Sequence, residues 1–157
     1  SLLLMRIMSA AEVHLILSEA ALYGWGSGSA EDHYNAGIQQ SFNAWGVGGE
    51  FGSYSAPYNG LESIIQQKWI ASWSAAAESW FDYRRTGLPD LQTGESAKRA
   101  ALPLRFYYHD SDEISKNKVN ANAAITKLEP TQYKGNDDSN NSAWSKMWLL
   151  QGTGKPY

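Results

Sequence analysis

Cysteine is absent from the 157 residues, which excludes disulfides, thiol nucleophiles, iron–sulfur clusters and cysteine-based zinc sites. Long apolar runs are missing too, since the longest, Leu2 to Met5, falls far short of the ~18 residues that a membrane-crossing helix needs. Charge is scarce: Asp, Glu, Lys and Arg make 18% of the chain, against about 25% in an average globular protein. The 13 Lys+Arg and 16 Asp+Glu leave a net charge of -3 with no basic stripe, which argues against nucleic acid as a partner. No G-x-S-x-G elbow, nucleoside-triphosphate loop or dinucleotide-binding glycine pattern occurs. Ser1 is not an initiator methionine, and the residues up to Met8 carry neither the charged start nor the small-residue cleavage site of a secretory leader. The chain is therefore read as a piece of something longer, with any targeting signal upstream.

What the sequence has in excess is aromatic rings. Seven Trp, nine Tyr and four Phe make up 13% of it. Rings on this scale suit stacking on a flat ligand and equally suit a helical core. A chain of this length buries roughly 68–70% of its unfolded surface, enough for one domain with its own core.

Periodicity and caps predict helices. Met8 to Tyr23 carries Met8, Ala11, Leu15 and Leu22 on one stripe, broadened by Val13, Ile16, Leu17 and Ala20, so the first helix is expected to be central. Gly24 to Gly28 ends it. Ser29 caps a second helix with Glu31 and Asp32 in its first turn; Tyr34, Ile38, Phe42 and Trp45 form its stripe, and Gly46 stops it. Val47 to Tyr58 reads as a glycine-rich loop with aromatic tips. Asn59 with Glu62 suggests a capping box opening a third helix, in which Leu61, Ile65, Trp69 and Trp73 recur every four residues. A break over Ser74 to Ala77 precedes a fourth helix, Ala77 to Thr86, closed by Gly87 and Pro89. Beyond it the chain turns polar. A short extended run is expected at Leu102 to Tyr108, one or two short helices between Ser111 and Thr126 with Ser111 as cap, a mobile loop over Tyr133 to Ser142, and a docking tail from Ala143 to Leu150. The fold class is thus all-α: stacked tetratricopeptide-like helical hairpins, the first pair about 34 residues long, followed by a loop-rich tail with short helices.

The chemical candidates are few. His14, His33 and His109 are far apart in sequence and form no i, i+4 pair, so no histidine metal site is expected. The acids Asp110, Asp112 and Glu113 sit at a helix start, Asp137 and Asp138 lie in a polar tract, and neither group is expected to hold catalytic geometry. A calcium loop over Asn136 to Asn141 lacks the central glycine and distal glutamate such a loop needs. In the fourth helix Asp82 and Arg85 can pair on one face, and one of Arg84 and Arg85 is expected to reach Glu12 or Glu19 of the first helix and lock the hairpins. Trp69, Trp73 and Trp80 are expected in the core. Trp25, Phe51, Tyr54 and Tyr58 sit in glycine-rich loops, where rings either stack on the C–H faces of sugars or cap helix ends and meet a partner protein.

Several segments together carry a family resemblance. Arg6 to Val13, Ser18 to Ala21 and Ala36 to Ile38 resemble the C-terminal helical part of the SusD/RagB family. Gln67-Lys68-Trp69-Ile70 and Trp80 to Pro89 resemble its next two helical segments, and Glu113, Asn117, Asn120 and Ala124 its closing pattern. Ala101 to Tyr108 departs from the proline-rich run usual there. The resemblance implies a non-enzymatic lipoprotein of the Bacteroidetes cell surface, held in the outer membrane by a lipid on an upstream cysteine. It further implies capture of an oligosaccharide, without cofactor, and delivery to a SusC-like TonB-dependent transporter. Trp25, Tyr54 and Tyr58 would then be stacking platforms with Asn59 as a polar partner. A peptide-capturing member of the same family, a tetratricopeptide-like scaffold for a protein partner, and a glycosidase fragment using Asp110 or Glu113 are the alternatives.

Overall fold

The computed structural model describes residues 7–26, 28–136 and 140–157. The Asp137–Asp138 pair and the Leu2–Met5 run lie outside the described residues, as do the side chains of Asp112 and Glu113. The chain is all-α: among the described residues it has five α-helices with short 3-10 and π turns, and a single isolated β-bridge in place of any strand. Two compact units divide at Tyr83 and Arg84.

In the first unit Ser9 accepts the N–H of Glu12 and starts α1 (Ala10–Leu22), two residues later than the apolar pattern predicts, because the cap and not the hydrophobicity sets the first turn. Ser29 does the same for α2 (Ala30–Ala44) by accepting the Asp32 N–H. Gly46 ends α2 with φ +75, a conformation that costs any other residue about 1 kcal/mol or more. α3 (Gly60–Ala71) packs on both, mostly on α1. Ala11, Leu15, Tyr34, Ile38, Ile64 and Ala71 make the core. At Gly37 the helices meet so closely that a Cβ would lie 2.7 Å from Leu15 Cγ. Ser18, fully buried in α1, donates to the Ala30 carbonyl at 2.7 Å and fixes the start of α2 against it.

Two expectations about packing are corrected here. α1 packs on both α2 and α3 as expected of a central helix, but its wide arc is only partly buried: Ala11, Glu12, Leu15 and Ser18 are buried, whereas Val13, Ile16 and Leu17 are about 40% exposed. Trp69 and Trp73, expected in the core, are 44% and 65% exposed, and Trp80 is half-buried. The buried face of α3 is Ile64, Ile65, Lys68 and Ala71, one residue round from the tryptophan stripe. Conversely the loop rings serve the core. Phe51 lies edge-on to Phe42, with centroids 6.1 Å apart, and Tyr58 leans on Tyr34 at 5.5 Å. The loop itself winds into a 3-10 turn, Gly48–Ser53.

α4 (Ala76–Thr86) carries Asp82, whose carboxylate meets Lys68 Nζ of α3 at 2.7 Å, with both side chains nearly buried. Asp82 thus gains a partner in Lys68 that sequence spacing along α4 does not reveal, because the two residues belong to separate helices.

The second unit is held by side chains gripping backbone. Arg84 donates to the Leu104 carbonyl at 3.2 Å and to Met147 Sδ at 3.5 Å. Buried Arg105 donates to the Ser142 carbonyl at 3.0 Å. Asn141 accepts the Tyr108 N–H and donates to the Tyr108 carbonyl, replacing a neighbouring strand for the extended run. The polar tract is therefore pinned at its far end, where Asn140 donates to Leu128 and Ser142 is buried. This corrects the mobile-loop reading for those residues. Ser111 caps nothing: it lies within a π turn, Asp110–Ile114, with its hydroxyl on His109 at 2.7 Å, and α5 (Lys118–Ile125) starts at Asn117 instead. The tail docks through Trp144, whose indole N–H donates to the Ala101 carbonyl at 2.8 Å, and through buried Leu150, with Trp148 left 77% exposed. Replacing Arg84 by Ala removes both of its contacts to Leu104 and Met147. The expected loss is about 1–2 kcal/mol of stability, measured as a drop in the thermal midpoint.

Candidate functional site

α3 carries two faces. Ile64, Ile65 and Lys68 turn to the core, and Glu62, Ser63, Gln66 and Gln67 line a pocket of about 350 Å³, whose far wall comes from Tyr34 and the Tyr54–Asn59 segment. The helical spacing explains the set: positions i, i+1, i+4 and i+5 fall on one side.

The pocket is polar and internally bonded. Tyr34, 1% exposed, donates its hydroxyl to the Ala56 carbonyl at 3.1 Å. Tyr54 accepts an N–H of Gln67 at 3.1 Å, leaving its own O–H and the Gln67 carbonyl for a ligand. Asn59 gives its backbone N–H to Ser63 Oγ at 2.8 Å, and its side-chain amide to Glu62 at 3.3 Å. The capping box expected at Asn59 is therefore altered, since Ser63 takes the backbone N–H that Glu62 would take in that motif. Glu62 is the one acid among the pocket's described lining residues, so the paired carboxylates that glycoside hydrolysis requires are not assembled there. The volume lies at the low end of small-molecule sites, about one or two sugar rings.

Burial, and next the neighbouring Tyr54, push the Tyr34 phenol above its ordinary 10.0, while Ser63 and Gln67 pull it back by hydrogen bonding. Because the folded state holds this proton more tightly than the unfolded state, the associated stability is fully present below about pH 10 and is lost as pH rises through the raised value. Urea midpoints compared at about pH 9 and about pH 11 are expected to fall for the protein and to fall less for Tyr34→Phe.

Of the residues singled out in the sequence, the structure brings Tyr54 and Asn59 to this pocket. Tyr58 packs against Tyr34 and does not line it. Trp25 is 82% exposed on the α1–α2 turn, where its ring tilts against Tyr23 at 5.2 Å. Glu12 is buried in α1, and Glu19 lies half-buried on the same helix. Glu62, Ser63, Gln66 and Gln67 are the lining residues that reading the apolar stripe alone passes over. The polar i, i+4 pairs Glu62–Gln66 and Ser63–Gln67 are the signal that finds them.

A second concavity, of about 390 Å³, is apolar, lined by Trp69, Ile70 and Trp73 of the α3 end and Ser79 of α4. Trp73 leans on Trp45 at 5.1 Å. Ser79 Oγ is buried there without a hydrogen-bond partner. Among the described residues no group of three or more His, Asp or Glu side chains clusters as a metal site, and no helix is long and apolar enough to cross a membrane.

Comparison with known proteins agrees with this architecture. A family model described as SusD-like, starch-binding and associating with the outer membrane, matches residues 3–109. A solved chitin-binding protein is 28% identical, with a TM-score of 0.69, over 88% of this chain and 32% of its own. Two SusD homologues from Bacteroides fragilis NCTC 9343 are 26% and 27% identical, with TM-scores of 0.71 and 0.66, over 93% and 90% of this chain and 35% and 34% of theirs. The chain thus spans about a third of the length of these solved structures. The search of curated proteins returns no match. With a family model covering well over half of its residues and hairpins that superpose on solved members, the chain belongs to the SusD-like family.

Proposed function

We propose that the protein captures an oligosaccharide without transforming it. The observation that carries this reading is the polar pocket of the first unit, where hydroxyl, amide and carboxylate groups converge on a space of one or two sugar rings with a single acid among its described lining residues. Tyr54 O–H, the Gln67 carbonyl, Asn59 and Glu62 supply donors and acceptors for vicinal hydroxyls. Trp25 and Tyr58 join as ring platforms in this reading, Trp25 by stacking from its exposed turn and Tyr58 by backing Tyr34. The family description names starch and one solved relative is named for chitin, both polymers of pyranose rings. Attachment to the outer membrane at the cell surface and delivery to a SusC-like TonB-dependent transporter belong to the same proposal, supported by a family description that names association with the outer membrane.

Calorimetric titration with maltooligosaccharides and chitooligosaccharides tests it. Tyr54→Ala or Gln67→Ala is expected to weaken the preferred sugar by about tenfold, the effect of one or two lost hydrogen bonds. If the combined replacement of Trp25, Tyr54, Tyr58 and Asn59 leaves affinity unchanged, the site assignment falls. Turnover of either sugar would overturn capture in favour of hydrolysis.

A second reading, contact with a protein partner or capture of a peptide, draws on the exposed Trp69, Ile70 and Trp73. Rings of this kind anchor interfaces. Trp73→Ser is then expected to abolish peptide binding and leave sugar affinity intact.

A further inference from the structure

The hydrogen bonds made within the wall of the polar pocket engage mostly donors and leave acceptors. Tyr34 gives its O–H to the Ala56 carbonyl, Gln67 an N–H to the Tyr54 oxygen, and Asn59 an N–H to the Glu62 carboxylate at 3.3 Å. Asn59 also commits its backbone N–H to Ser63 Oγ, whose own proton goes to the Gly60 carbonyl. The capacity that remains is weighted toward oxygen lone pairs: the side-chain carbonyls of Gln67 and Asn59, and a carboxylate that has accepted one of the about four hydrogen bonds it can take.

Charge points the same way. Glu62 brings a negative charge, and no Lys, Arg or His stands among the described lining residues. Lys68 of the same helix is paired with Asp82. His14 and His33, far apart in sequence, meet each other across the α1–α2 hairpin with Nδ1 to Nδ1 at 3.4 Å, and neither lines the pocket. A sugar hydroxyl donates one hydrogen bond and carries no charge. A uronate brings further acceptors and a like charge. A primary ammonium brings three donors, no acceptor and a positive charge, which is what this wall lacks.

Building on the capture reading above, we propose that the pocket selects an amino sugar, a hexose unit with a free amine in place of one hydroxyl. Its ammonium meets the Glu62 carboxylate, and its remaining hydroxyls use Tyr54 and Gln67. Glu62 is then the residue that sets specificity by charge, favouring the amine and repelling acidic glycans. Because Glu62 is exposed to solvent, the preference is moderate and is screened by salt.

The test is a calorimetric titration of the protein with trisaccharides of glucosamine, N-acetylglucosamine, glucose and galacturonic acid, at low salt and about pH 6. The glucosamine trimer is expected to bind about five- to tenfold more tightly than its acetylated and glucose counterparts, and the galacturonate trimer most weakly. That preference should shrink to about twofold or less at about 1 M salt. It should shrink likewise between about pH 6 and about pH 9, as the sugar amine loses its proton. Glu62→Gln is expected to bring the ratio of glucosamine to glucose affinity close to unity. Glu31→Gln, which removes the same charge from the first turn of α2, should leave the ratio as it is. Equal affinity for the glucosamine and glucose trimers overturns the proposal, as does a preference that survives Glu62→Gln. Trilysine binding as tightly as the glucosamine trimer also overturns it, since the site would then hold an amine without regard to the sugar. Neutral sugars bound without preference end this proposal and leave capture standing, whereas no sugar bound at all ends both. The salt and pH dependence of the wild-type protein keeps the test decisive even where Glu62→Gln folds poorly.

Discussion

Asp82→Ala is expected to destabilise the protein by about 3–5 kcal/mol, and Lys68→Ala by a similar amount. The two side chains meet at 2.7 Å with only 13% and 10% of their surfaces exposed. Removing Asp82 leaves the Lys68 ammonium nearly buried with this attraction gone and its hydration only partly restored, and removing Lys68 takes from Asp82 its 2.7 Å ion pair. The cost is therefore that of an uncompensated charge, larger than the worth of the pair itself. The contrast that identifies this cause is the double replacement Lys68→Met/Asp82→Leu, which removes both charges at similar volume and should recover most of the loss. Urea denaturation reads it as a fall in midpoint at constant slope for the single variants and near-recovery for the double. A single-variant loss below about 1 kcal/mol would mean that the pair behaves as a solvated surface bridge.

The second large effect lies where α1 and α2 touch. Leu15→Ala is expected to cost about 3–5 kcal/mol, because Leu15 is fully buried and the rigid hairpin cannot close over the space it leaves. Gly37 is the counterpart. A Cβ there would meet Leu15 Cγ at 2.7 Å, Cδ2 at 3.0 Å and the Ala11 carbonyl at 3.3 Å. Gly37→Ala alone should therefore destabilise by about 1–3 kcal/mol through overpacking, outweighing the roughly 1 kcal/mol that alanine gains over glycine in a helix. In the Leu15→Ala background the obstruction is removed and the same change should be neutral or stabilising. A double-mutant cycle with a coupling energy of about 1–3 kcal/mol checks the close approach. Strict additivity would contradict it.

These two contacts differ in how much of them the sequence reveals. Gly37 sits within the Ala36-Gly37-Ile38 segment that carries the family resemblance, and Leu15 lies on the predicted stripe. That the glycine is needed for a neighbouring helix, and not as a break, is visible only once α1 lies across it. Lys68 gives no warning at all, because a lysine in a helix reads as solvent-facing by default. Its burial depends on Asp82 arriving from α4.

The pocket divides in the same way. Tyr54 and Asn59 are legible in the sequence because a ring and an amide in a glycine-rich loop have no helical packing duty. Gln67 and Glu62 lie inside a helix, where their polarity is unremarked until the opposite face of α3 is fixed. The apolar stripe lies about one residue round the helix from the buried face. Leu61, Ile65, Trp69 and Trp73 keep a four-residue spacing, which drifts round a helix of 3.6 residues per turn, so the stripe walks off the core before the helix ends. The exposed Trp69 and Trp73 are the result.

By itself the sequence determined the all-α class, the approximate extents of α1 to α4, the cap at Ser29 and the stops at Gly46 and Gly87. Those are set by hydrogen bonds and backbone preferences acting within one turn of the chain, and such short-range terms can be read residue by residue. Tertiary structure alone decided which face of α3 is buried, that Asp82 pairs with Lys68, that Asn141 stands in for a strand beside Tyr108, and that His14 meets His33. Each of these joins residues from separate segments, so its energy exists only after the helices have packed, and no local pattern encodes it.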